Sequence, residues 1–451
     1  MRIAIIGSGV IGLTIANQIT KLSNKEVITI FSVPNCSKSA SMAAGAMINI
    51  VSEVDAINID HPLTHKKLLR KKELLMLWEK HAADFSSHQS NLIEGEGTEV
   101  RLLKSSENML EHKSFNAICT ASKKYHQKYK ISDNVYYKSI FLPDEKSIDA
   151  HYYLSCLRES LSEKKDIIFQ TAFIDFISKI NKSWLIYDTN GRKYEFDFII
   201  LCAGSFSEKI INKTESVLLP NIRSFHGVGS ALNLYKELPY TTLPSFTSII
   251  RSPNRGGTCG IHFVQRKNSI YIGASSLVTP IPLKGSQSGS IKYLLENANK
   301  LFNIDLSKLS LDLLTGYRPI TADACPIIGF LAKGFYCAYG TKRDGLTWSP
   351  YYSYNIAREI LDLKTMKSWE EYRSYCNPSR SYNSAGSVKH CTNYYVLSKI
   401  YEAFQHNQKL NDIEISHLKN IADDVHKKYS PNKGIQPELI NMYYYNHINH
   451  N

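Results

Sequence analysis

Glycine spacing near the start of this chain has a direct chemical use. Gly7, Gly9 and Gly12 stand at the G-x-G-x-x-G spacing in RIAIIGSGVIG, directly after an apolar run. Gly7 allows a sharp turn, Gly9 lets backbone N–H groups approach a pyrophosphate, and Gly12 lets a helix pack close to a strand. The N-terminus of that helix attracts phosphate. The pattern favours a dinucleotide site over a glycine turn in an unrelated α/β domain.

Two further side chains are candidates for substrate chemistry. Arg318 stands in GYRP, where glycine and proline fix the backbone on both sides of it. Its planar guanidinium group matches a carboxylate with two parallel hydrogen bonds. The alternative is a structural arginine paired with a neighbour such as Asp323, which we expect instead to shape the following turn. His262, in GIHFVQR, can hydrogen-bond a substrate or titrate near neutral pH. A structural histidine with satisfied hydrogen bonds is an equal alternative.

The elements that must position these residues begin with a βαβ unit. Strands are predicted over Ile3–Ile6 and Val27–Phe31, with a helix over Leu13–Leu22 between them. Further strand-like runs end near glycine or turn residues, at Ile167–Phe169 and Phe196–Cys202. Together these segments predict a layer of parallel strands.

The middle of the chain has a different pattern. Short β-type stretches with glycine breaks predict an antiparallel sheet separate from the nucleotide layer: Phe225–Leu234, Phe246–Arg251, Cys259–Gln265 and Ser269–Ile272. A hairpin is predicted over 184–198 around Asn190-Gly191. Helices are predicted over 147–163 with Asp149 or Ser147 as the cap, and over Tyr351–Leu363, Tyr394–Gln405 and Ile413–Lys427.

The net charge of +13 allows a nucleic-acid, anionic-membrane or acidic-substrate partner. The densest basic cluster lies on a helix predicted from about Leu63 to Asp84 and comprises Lys66, Lys67, Arg70, Lys71 and Lys72. Its apolar residues are expected to face the core, namely Leu68, Leu69, Leu75, Leu77 and Trp78. We interpret the basic cluster as a solvated helix face rather than a binding patch.

Nine cysteines are scattered without a C-x-x-C pair or a zinc-like His/Cys spacing. Their odd, unpaired number indicates reduced thiols and a cytoplasmic location, and Cys202 is interpreted as a small core residue. No run reaches the length that crosses a bilayer. The apolar stretch Ile3–Ala16 is interpreted as the nucleotide strand and helix rather than an export signal.

Several separated motifs together resemble the FAD-dependent D-amino-acid oxidase and glycine oxidase superfamily. They are RIAIIGSGVIG at 2–12, SMAAGAMI at 41–48, FDFIILCAGSFS at 196–207, GYRPITADACPIIG at 316–329 and YGTKRDGLTWSP at 339–350. The resemblance implies an α/β fold with a Rossmann-like FAD-binding domain and a second antiparallel-sheet substrate domain. The implied boundaries are 1–85, 145–221 and 310–375 for the FAD domain, 86–144 and 222–309 for the substrate domain, and 376–451 for a helical extension of unknown role.

The resemblance also implies which residues contact FAD. They are Gly7, Gly9, Val10, Ile11, Gly12, Ser32, Ala43, Ala44, Gly45, Met47, Ala172, Phe173, Ala203, Gly204, Arg343, Asp344, Gly345, Leu346 and Thr347. Backbone N–H groups at the start of the helix after Gly340–Pro350 are suited to stabilise charge on the reduced flavin. Lys342 and Arg343 either add positive charge there or point to solvent.

Two positions depart from the family pattern. Most members carry an acidic residue for the adenosine ribose where Ser32 stands, and a hydroxyl offers fewer hydrogen bonds than a carboxylate. Some relatives attach flavin through a cysteine at the position of Gly316, so we expect non-covalent FAD, with Cys325 as the nearby thiol. A tyrosine is common in the family where His262 stands.

The resemblance implies oxidation of a C–N bond in an amino acid or related amine. In the family the arginine of the GYRP motif grips the substrate carboxylate, hydride passes to flavin N5, and an imine is released. Oxygen or another acceptor then takes the electrons. A different hypothesis, prompted by the net charge and the unmatched 376–451 segment, is a flavoprotein that modifies a tRNA base side chain or a peptide. A third is a flavin-binding protein whose C-terminal segment recruits a partner.

Overall fold

A computed structural model of the chain describes residues 1–33, 38–85, 92–237, 243–255, 259–302, 308–405 and 408–448. Cys36, one of the nine cysteines, lies outside these ranges. The described strands are β1 (Arg2–Ile6), β2 (Val27–Ser32), β3 (Ile93–Glu94), β4 (Thr98–Leu103), β5 (Lys130–Asp133), β6 (Tyr137–Leu142), β7 (Ser147–Ile148), β8 (Ile167–Thr171), β9 (Ile174–Ile180), β10 (Ser183–Asp188), β11 (Lys193–Phe196), β12 (Phe198–Leu201), β13 (Ser224–Tyr235), β14 (Ile249–Arg251), β15 (His262–Gln265), β16 (Ser269–Gly273), β17 (Leu277–Thr279), β18 (Ser310–Thr321), β19 (Ile327–Ala332) and β20 (Phe335–Tyr339).

The helices alternate with these strands and then dominate the C-terminal part. They are α1 (Val10–Leu22), α2 (Pro62–Leu69), α3 (Lys71–Ala83), α4 (Met109–Lys124), α5 (Ala150–Ser162), α6 (Ser207–Ile211), α7 (Ser288–Phe302), α8 (Ser349–Ile360), α9 (Lys367–Ser374), α10 (Val388–Gln405), α11 (Asp412–Tyr429) and α12 (Pro437–Ile448), with a short 3₁₀ turn at Gly204–Phe206. None of the helices in the described residues is both apolar enough and long enough to cross a bilayer.

The first layer is a mostly parallel sheet in the order β19-β20-β12-β1-β2-β8. β1 pairs in parallel with β2 and β12, and β19 joins β20 in the antiparallel sense. α1 packs on this sheet through Leu13, Ala16 and Ile19, which are all buried. The predicted βαβ unit is confirmed, since apolar strands buried on both faces need helices to cover them.

The second layer is a mainly antiparallel sheet in the order β17-β13-β16-β15-β14-β4-β6-β5, with β18 also paired to β13. β13 and β18 run side by side from Ser224↔Thr321 to Tyr235↔Ser310. β14 and β4 form a parallel pair within it. The expected separate antiparallel sheet is confirmed, and it brings Arg318 on β18 and His262 on β15 into one layer.

Several local predictions are confirmed. β10 and β11 form the predicted hairpin, with Gly191 at φ +77° in its turn. The Asp149 carboxylate accepts a hydrogen bond from Tyr152 N at 3.0 Å and caps α5. The helices predicted after residue 350 correspond to α8, α10 and α11.

Some predicted boundaries are wrong. The strand expected over Phe196–Cys202 is divided, because Asp197 leaves the hairpin and accepts a hydrogen bond from Arg2 N at 2.7 Å before β12 begins. The stretches Phe246–Arg251 and Cys259–Gln265 are strands only from Ile249 and His262 onward. Residues 252–254 and 259–261 form buried connections that bind one another instead, as in Ser252 N to Ile261 O at 2.8 Å.

The single helix predicted from Leu63 to Asp84 is also wrong. The chain breaks at Arg70, which has φ −98° and ψ 6°, and this turn leaves Leu69 64% exposed rather than in the core. Arg70 and Lys71 are buried and pair with Glu371 at 3.0 Å and Asp144 at 3.4 Å. Lys67 pairs with Asp344. The interpretation as a solvated face is therefore wrong for these three cations, which link α2 and α3 to distant segments.

Candidate active site

The turn between β1 and α1 has the close backbone contacts that its glycines predict. Gly7 has φ +117°, and a Cβ there would lie 2.3 Å from Cys202 O. A Cβ at Gly12 would lie 2.0 Å from Gly7 O, so only glycine lets the helix start against the turn. Gly9 caps α1 without a side chain, and the hydroxyl of Ser41 accepts a hydrogen bond from Val10 N at 3.1 Å. The turn suits an incoming phosphate group.

The other predicted cofactor residues of this layer gather at the same sheet edge. Ser32 ends β2, and its carbonyl accepts from Ala172 N at 2.9 Å. Phe173 follows and is 52% exposed. Ala203 and Gly204 follow β12, and a Cβ at Gly204 would meet nothing within 4 Å. These residues lie outside the carboxyl ends of parallel strands, where open α/β sheets bind ligands.

Carbonyl groups of the segment 43–47 accept hydrogen bonds from two side chains of the second sheet region and from one directly before α8. The bonds are Tyr271 hydroxyl to Ala43 O at 3.0 Å, Arg266 Nη2 to Gly45 O at 2.7 Å, and Thr347 Oγ1 to Met47 O at 2.9 Å. A Cβ at Gly45 would lie 2.7 Å from the Tyr271 ring and 2.9 Å from His262 Nε2. Small residues in this segment therefore fit closely against the second sheet.

Sequence reasoning did not assign roles to Ser41, Arg266 and Tyr271. All three lie in stretches already identified, namely SMAAGAMI, GIHFVQR and the predicted strand Ser269–Ile272. The feature that could have identified them is a side chain able to hydrogen-bond that stands next to small residues or within a predicted strand. The partner of each side chain is distant in sequence, so the pairing was not accessible from the sequence alone.

Arg318 and Arg343 converge on one thiol. Arg318 Nη1 and Arg343 Nη1 lie 3.3 Å and 3.2 Å from Cys259 Sγ. Arg318 Nη2 also donates to Ser275 O at 3.2 Å, while its buried Nε has no hydrogen-bond partner. Among the described residues no carboxylate pairs with Arg318. The alternative pairing with Asp323 is wrong, because that carboxylate binds Arg380.

Asp323 does shape the turn after β18, as expected. Its Oδ1 accepts a hydrogen bond from Cys325 N at 3.2 Å. The turn therefore depends on a carboxylate that a residue from the C-terminal extension neutralises.

A carboxylate whose side chain is 22% exposed balances the arginines. Glu53 pairs with Arg251 at 2.6 Å and Arg343 at 3.4 Å. Burial favours the neutral acid, but the two guanidinium groups outweigh it and lower the pKa of Glu53 to about 2. Arg251 is fully buried and also donates to Asn254 Oδ1 at 2.7 Å. Nothing in the local sequence around Glu53 or Arg251 signalled this network.

His262 is buried beside Tyr271, with ring centroids 5.6 Å apart and planes 23° from parallel. Its Nδ1 lies 3.2 Å from Gly260 O. Burial, followed by the charge of Arg251, lowers the pKa of His262 to about 4. The expectation that it titrates near neutral pH is therefore wrong, and the ring is neutral in that range.

The segment from Gly340 to Thr347 turns inward. Arg343 reaches Glu53, and Lys342 pairs with Glu438, so the possibility that both point to solvent is wrong. Asp344 pairs with Lys67. Leu346 is buried, and a Cβ at Gly345 would lie 2.6 Å from Thr341 Oγ1. The segment is thus held on several sides directly before α8.

Two positions bear on flavin attachment. A Cβ at Gly316 would lie 2.7 Å from Ala43 Cβ, so the site has no room for a cysteine there. Cys325 is buried, and desolvation followed by the charge of Asp323 raises the pKa of its thiol well above the usual value. A protonated, enclosed thiol is a poor nucleophile.

Comparisons with known proteins agree with this geometry. The sequence profile of the FAD dependent oxidoreductase family (DAO) matches residues 2–358. A glycine oxidase structure from Geobacillus kaustophilus is similar, with TM-score 0.68 and 17% identity over 82% of this chain and 98% of that one. The iminodiacetate oxidase of Chelativorans sp. BNC1 gives 0.67 and 16% over 84% and 100%.

L-proline dehydrogenase from P. horikoshii gives a TM-score of 0.64 with 15% identity, over 84% of this chain and 97% of that one. A comparison with curated protein sequences finds no match. At these identities the solved structures establish the fold, while the profile match covers most of the sequence. The chain belongs to the DAO family of FAD-dependent oxidoreductases.

Proposed function

We propose that this FAD-dependent oxidoreductase oxidises the C–N bond of an amino acid or a related amine. The observation that carries the proposal is Arg318, a guanidinium with a buried Nε and no carboxylate partner among the described residues. A partly buried guanidinium that has no carboxylate partner is suited to bind an incoming anion. It lies on the same strand as Gly316, which packs against Ala43.

The roles of the chain's own residues follow from this geometry. Arg318 binds the substrate carboxylate, and its Nη groups are oriented by Ser275 O and Cys259 Sγ. FAD, when bound, would supply a two-electron acceptor. The neutral imidazole of His262 and the hydroxyl of Tyr271 line the same region without adding charge. No side-chain base is needed when the neutral amine loses hydride, so orientation and water exclusion dominate the rate.

The cofactor contacts and the domain division are part of the same proposal. The glycine turn with Val10 and Ile11 would hold the pyrophosphate of FAD, and segment 43–47 would contact its flavin ring. Small residues and helix N-termini at the described sheet edge support this arrangement. FAD would be held non-covalently, which the crowded position of Gly316 supports.

The relatives support an amino-acid or amine substrate. The similar structures are a glycine oxidase, an iminodiacetate oxidase and an L-proline dehydrogenase by name. Each of these names contains a compound with both a carboxylate and an amine. A carboxylate next to a C–N bond is the combination that Arg318 and a hydride acceptor would recognise together.

An anaerobic substrate screen tests the proposal. The FAD-loaded protein is mixed with a panel of amino acids and N-substituted amino acids, and flavin absorbance is followed. We expect at least one compound to bleach it. The Arg318→Lys variant keeps the charge but loses the fork, so its kcat/KM should fall roughly 100-fold or more.

The matched control is Arg223→Lys, on a guanidinium that is 71% exposed. It should leave kcat/KM unchanged. Absence of bleaching by every compound, or equal kcat/KM in Arg318→Lys and the parent protein, would overturn the proposal.

A further inference from the structure

The C-terminal extension, residues 376–448 of the described chain, lies beyond the end of the family match at residue 358. Its helices pack against the second sheet. The contact is apolar and joins Phe225, Val278 and Ile320 of β13, β17 and β18 to Ile421, Val425, Leu439 and Ile440 of α11 and α12. This burial makes the extension an integral layer of the fold rather than an appended arm.

One buried ion pair connects the extension to the segment that carries Arg318. Arg380 donates to both oxygens of Asp323, from Nε at 2.9 Å and Nη2 at 2.8 Å, and Nη2 also donates to Cys325 O at 2.8 Å. The two side chains are 4% and 0% exposed. A buried, bidentate ion pair fixes the relative orientation of the guanidinium and the carboxylate as well as their distance. The end of β18 is therefore held from the extension.

A second buried ion pair connects the extension to the segment that carries Arg343. Glu438, in the first turn of α12, pairs with Lys342, and the two side chains are 6% and 17% exposed. Lys342 has φ +53°, a left-handed conformation that an ordinary residue keeps only where its surroundings enforce it. Its N–H also donates to Pro319 O at 2.8 Å, beside Arg318.

The two anchored segments meet at the site. Arg318 and Arg343 both reach Cys259 Sγ. The extension binds Asp323, five residues after Arg318, and Lys342, the residue before Arg343. We infer that the C-terminal extension orients the two site arginines, with Glu438 and Arg380 as positioning residues that act through Lys342 and Asp323. The inference rests on the proposed function, because it assigns the orientation of arginines that bind an anionic substrate.

The test uses the full-length, FAD-loaded protein with Glu438→Gln, which keeps the side-chain shape and removes the charge. Small carboxylates, namely acetate, glycolate and malonate, are titrated while the flavin spectrum is followed, and steady-state kinetics are measured with any substrate that the screen identifies. We expect carboxylate affinity and kcat/KM to fall roughly tenfold, mainly through KM, with FAD retained. The matched control is Glu402→Gln, which removes an exposed pair with Lys399 in the same extension and should change neither quantity.

A double-mutant cycle separates positioning from general destabilisation. If Glu438 acts through Lys342, the variant Lys342→Met with Glu438→Gln should bind carboxylates no more weakly than either single variant. Glu438→Asp, which keeps the charge but shortens the reach, serves if Glu438→Gln does not fold, and should show the same loss.

Parental carboxylate affinity in folded Glu438→Gln, or additive losses in the cycle, would overturn the inference. The carboxylate titration does not depend on turnover. A protein that no amine reduces would therefore sink the proposed function, while the titration still decides the role of the extension.

Discussion

Two regions of the molecule are built in different ways: the nucleotide edge, which is the glycine turn at the end of β1, and the arginine site around Arg318, Arg343 and Arg251. At the edge of the first sheet, the decisive contacts are backbone to backbone, as between Gly12 and Gly7, which are five positions apart. In the arginine site they are charged side chains from distant segments, as between the buried Arg251 and the partly buried Glu53, 198 positions apart. A short sequence motif is enough to predict the first kind of site. The second kind forms only when distant segments of the folded chain pack together. Variants that separate the two kinds of construction test this difference.

The largest expected effect is from Gly12→Ala. Its Cβ would lie 2.0 Å from a backbone oxygen that cannot move without shifting the turn, so we expect loss of FAD binding and a folding defect. Retention of flavin absorbance after gel filtration checks the outcome. The matched control is Gly191→Ala, at φ +77° with nothing within 4 Å of the new Cβ, which should cost about 1 kcal/mol and keep FAD. A yellow Gly12→Ala protein would contradict the backbone argument.

Glu53→Gln tests the charged site. It leaves Arg251 buried without its anion, which should lower the free energy of unfolding by about 3–5 kcal/mol in urea titrations. Its matched control is Glu195→Gln, at a pair with Arg2 in which both side chains are 53% exposed, where we expect a change below about 1 kcal/mol. Equal effects of the two variants would show that the network contributes no more than a surface pair.

The pH dependence of stability sharpens the same point. The pKa of Glu53 is about 2 in the folded protein against 4.5 ordinarily, so the folded state favours the ionised form. Its contribution, on the order of 3 kcal/mol, is complete above pH 4.5 and is lost as the pH falls toward 2. Urea unfolding of the parent protein and Glu53→Gln from pH 6 to 3 should show the two curves converging at low pH. Parallel curves would argue against an ionised Glu53.

Tyr271→Phe probes the join between the two regions. It removes the hydroxyl that donates to Ala43 O at 3.0 Å and should cost about 1 kcal/mol, with a modest loss of FAD affinity. Isothermal titration of the apoprotein with FAD measures the latter. The matched variant Tyr129→Phe alters a tyrosine that is 39% exposed, and we expect it to change neither stability nor FAD affinity. A Tyr271→Phe protein that binds FAD more tightly would contradict the idea that the Tyr271 hydroxyl holds segment 43–47 in place for the cofactor.

The smallest expected effect concerns His262 between pH 6 and 8. Since its pKa is lowered to about 4 by burial and by Arg251, the imidazole stays neutral throughout that range. The shape of the kcat/KM profile should therefore be the same in the parent protein and in His262→Asn. An inflection near pH 6.5 that vanishes in the variant would refute a neutral His262.

Sequence patterns predicted the parts of the fold that depend on neighbours in the chain. The βαβ unit, the hairpin around Gly191, the cap at Asp149 and the glycine contacts were all accessible, because turn conformations and alternating burial leave local signatures. The break at Arg70 was missed because no proline or glycine marks it in the sequence, and Arg70 pairs with Glu371, which is distant in the chain.

For the candidate site, the motif around Arg318 was identified but its surroundings were not. Glu53 belongs to a segment without a recognisable pattern, and the β-type stretches that contain Arg251 and Cys259 gave no sign of their roles, which follow from contacts across the sheets. The same is true of Glu438 and Arg380, in a segment without a family counterpart. The positions of charged residues along the chain do not predict which of them will form ion pairs with one another in the folded protein.

By itself the sequence determined the family, the FAD dependence and the two kinds of sheet, because glycine spacing and apolar periodicity encode backbone geometry over a few residues. Only the tertiary structure decided which charges are buried together, that Asp323 serves Arg380 rather than Arg318, and that His262 is neutral. The physical reason is that desolvation and Coulomb attraction depend on distance in space, and these partners lie tens to hundreds of residues apart.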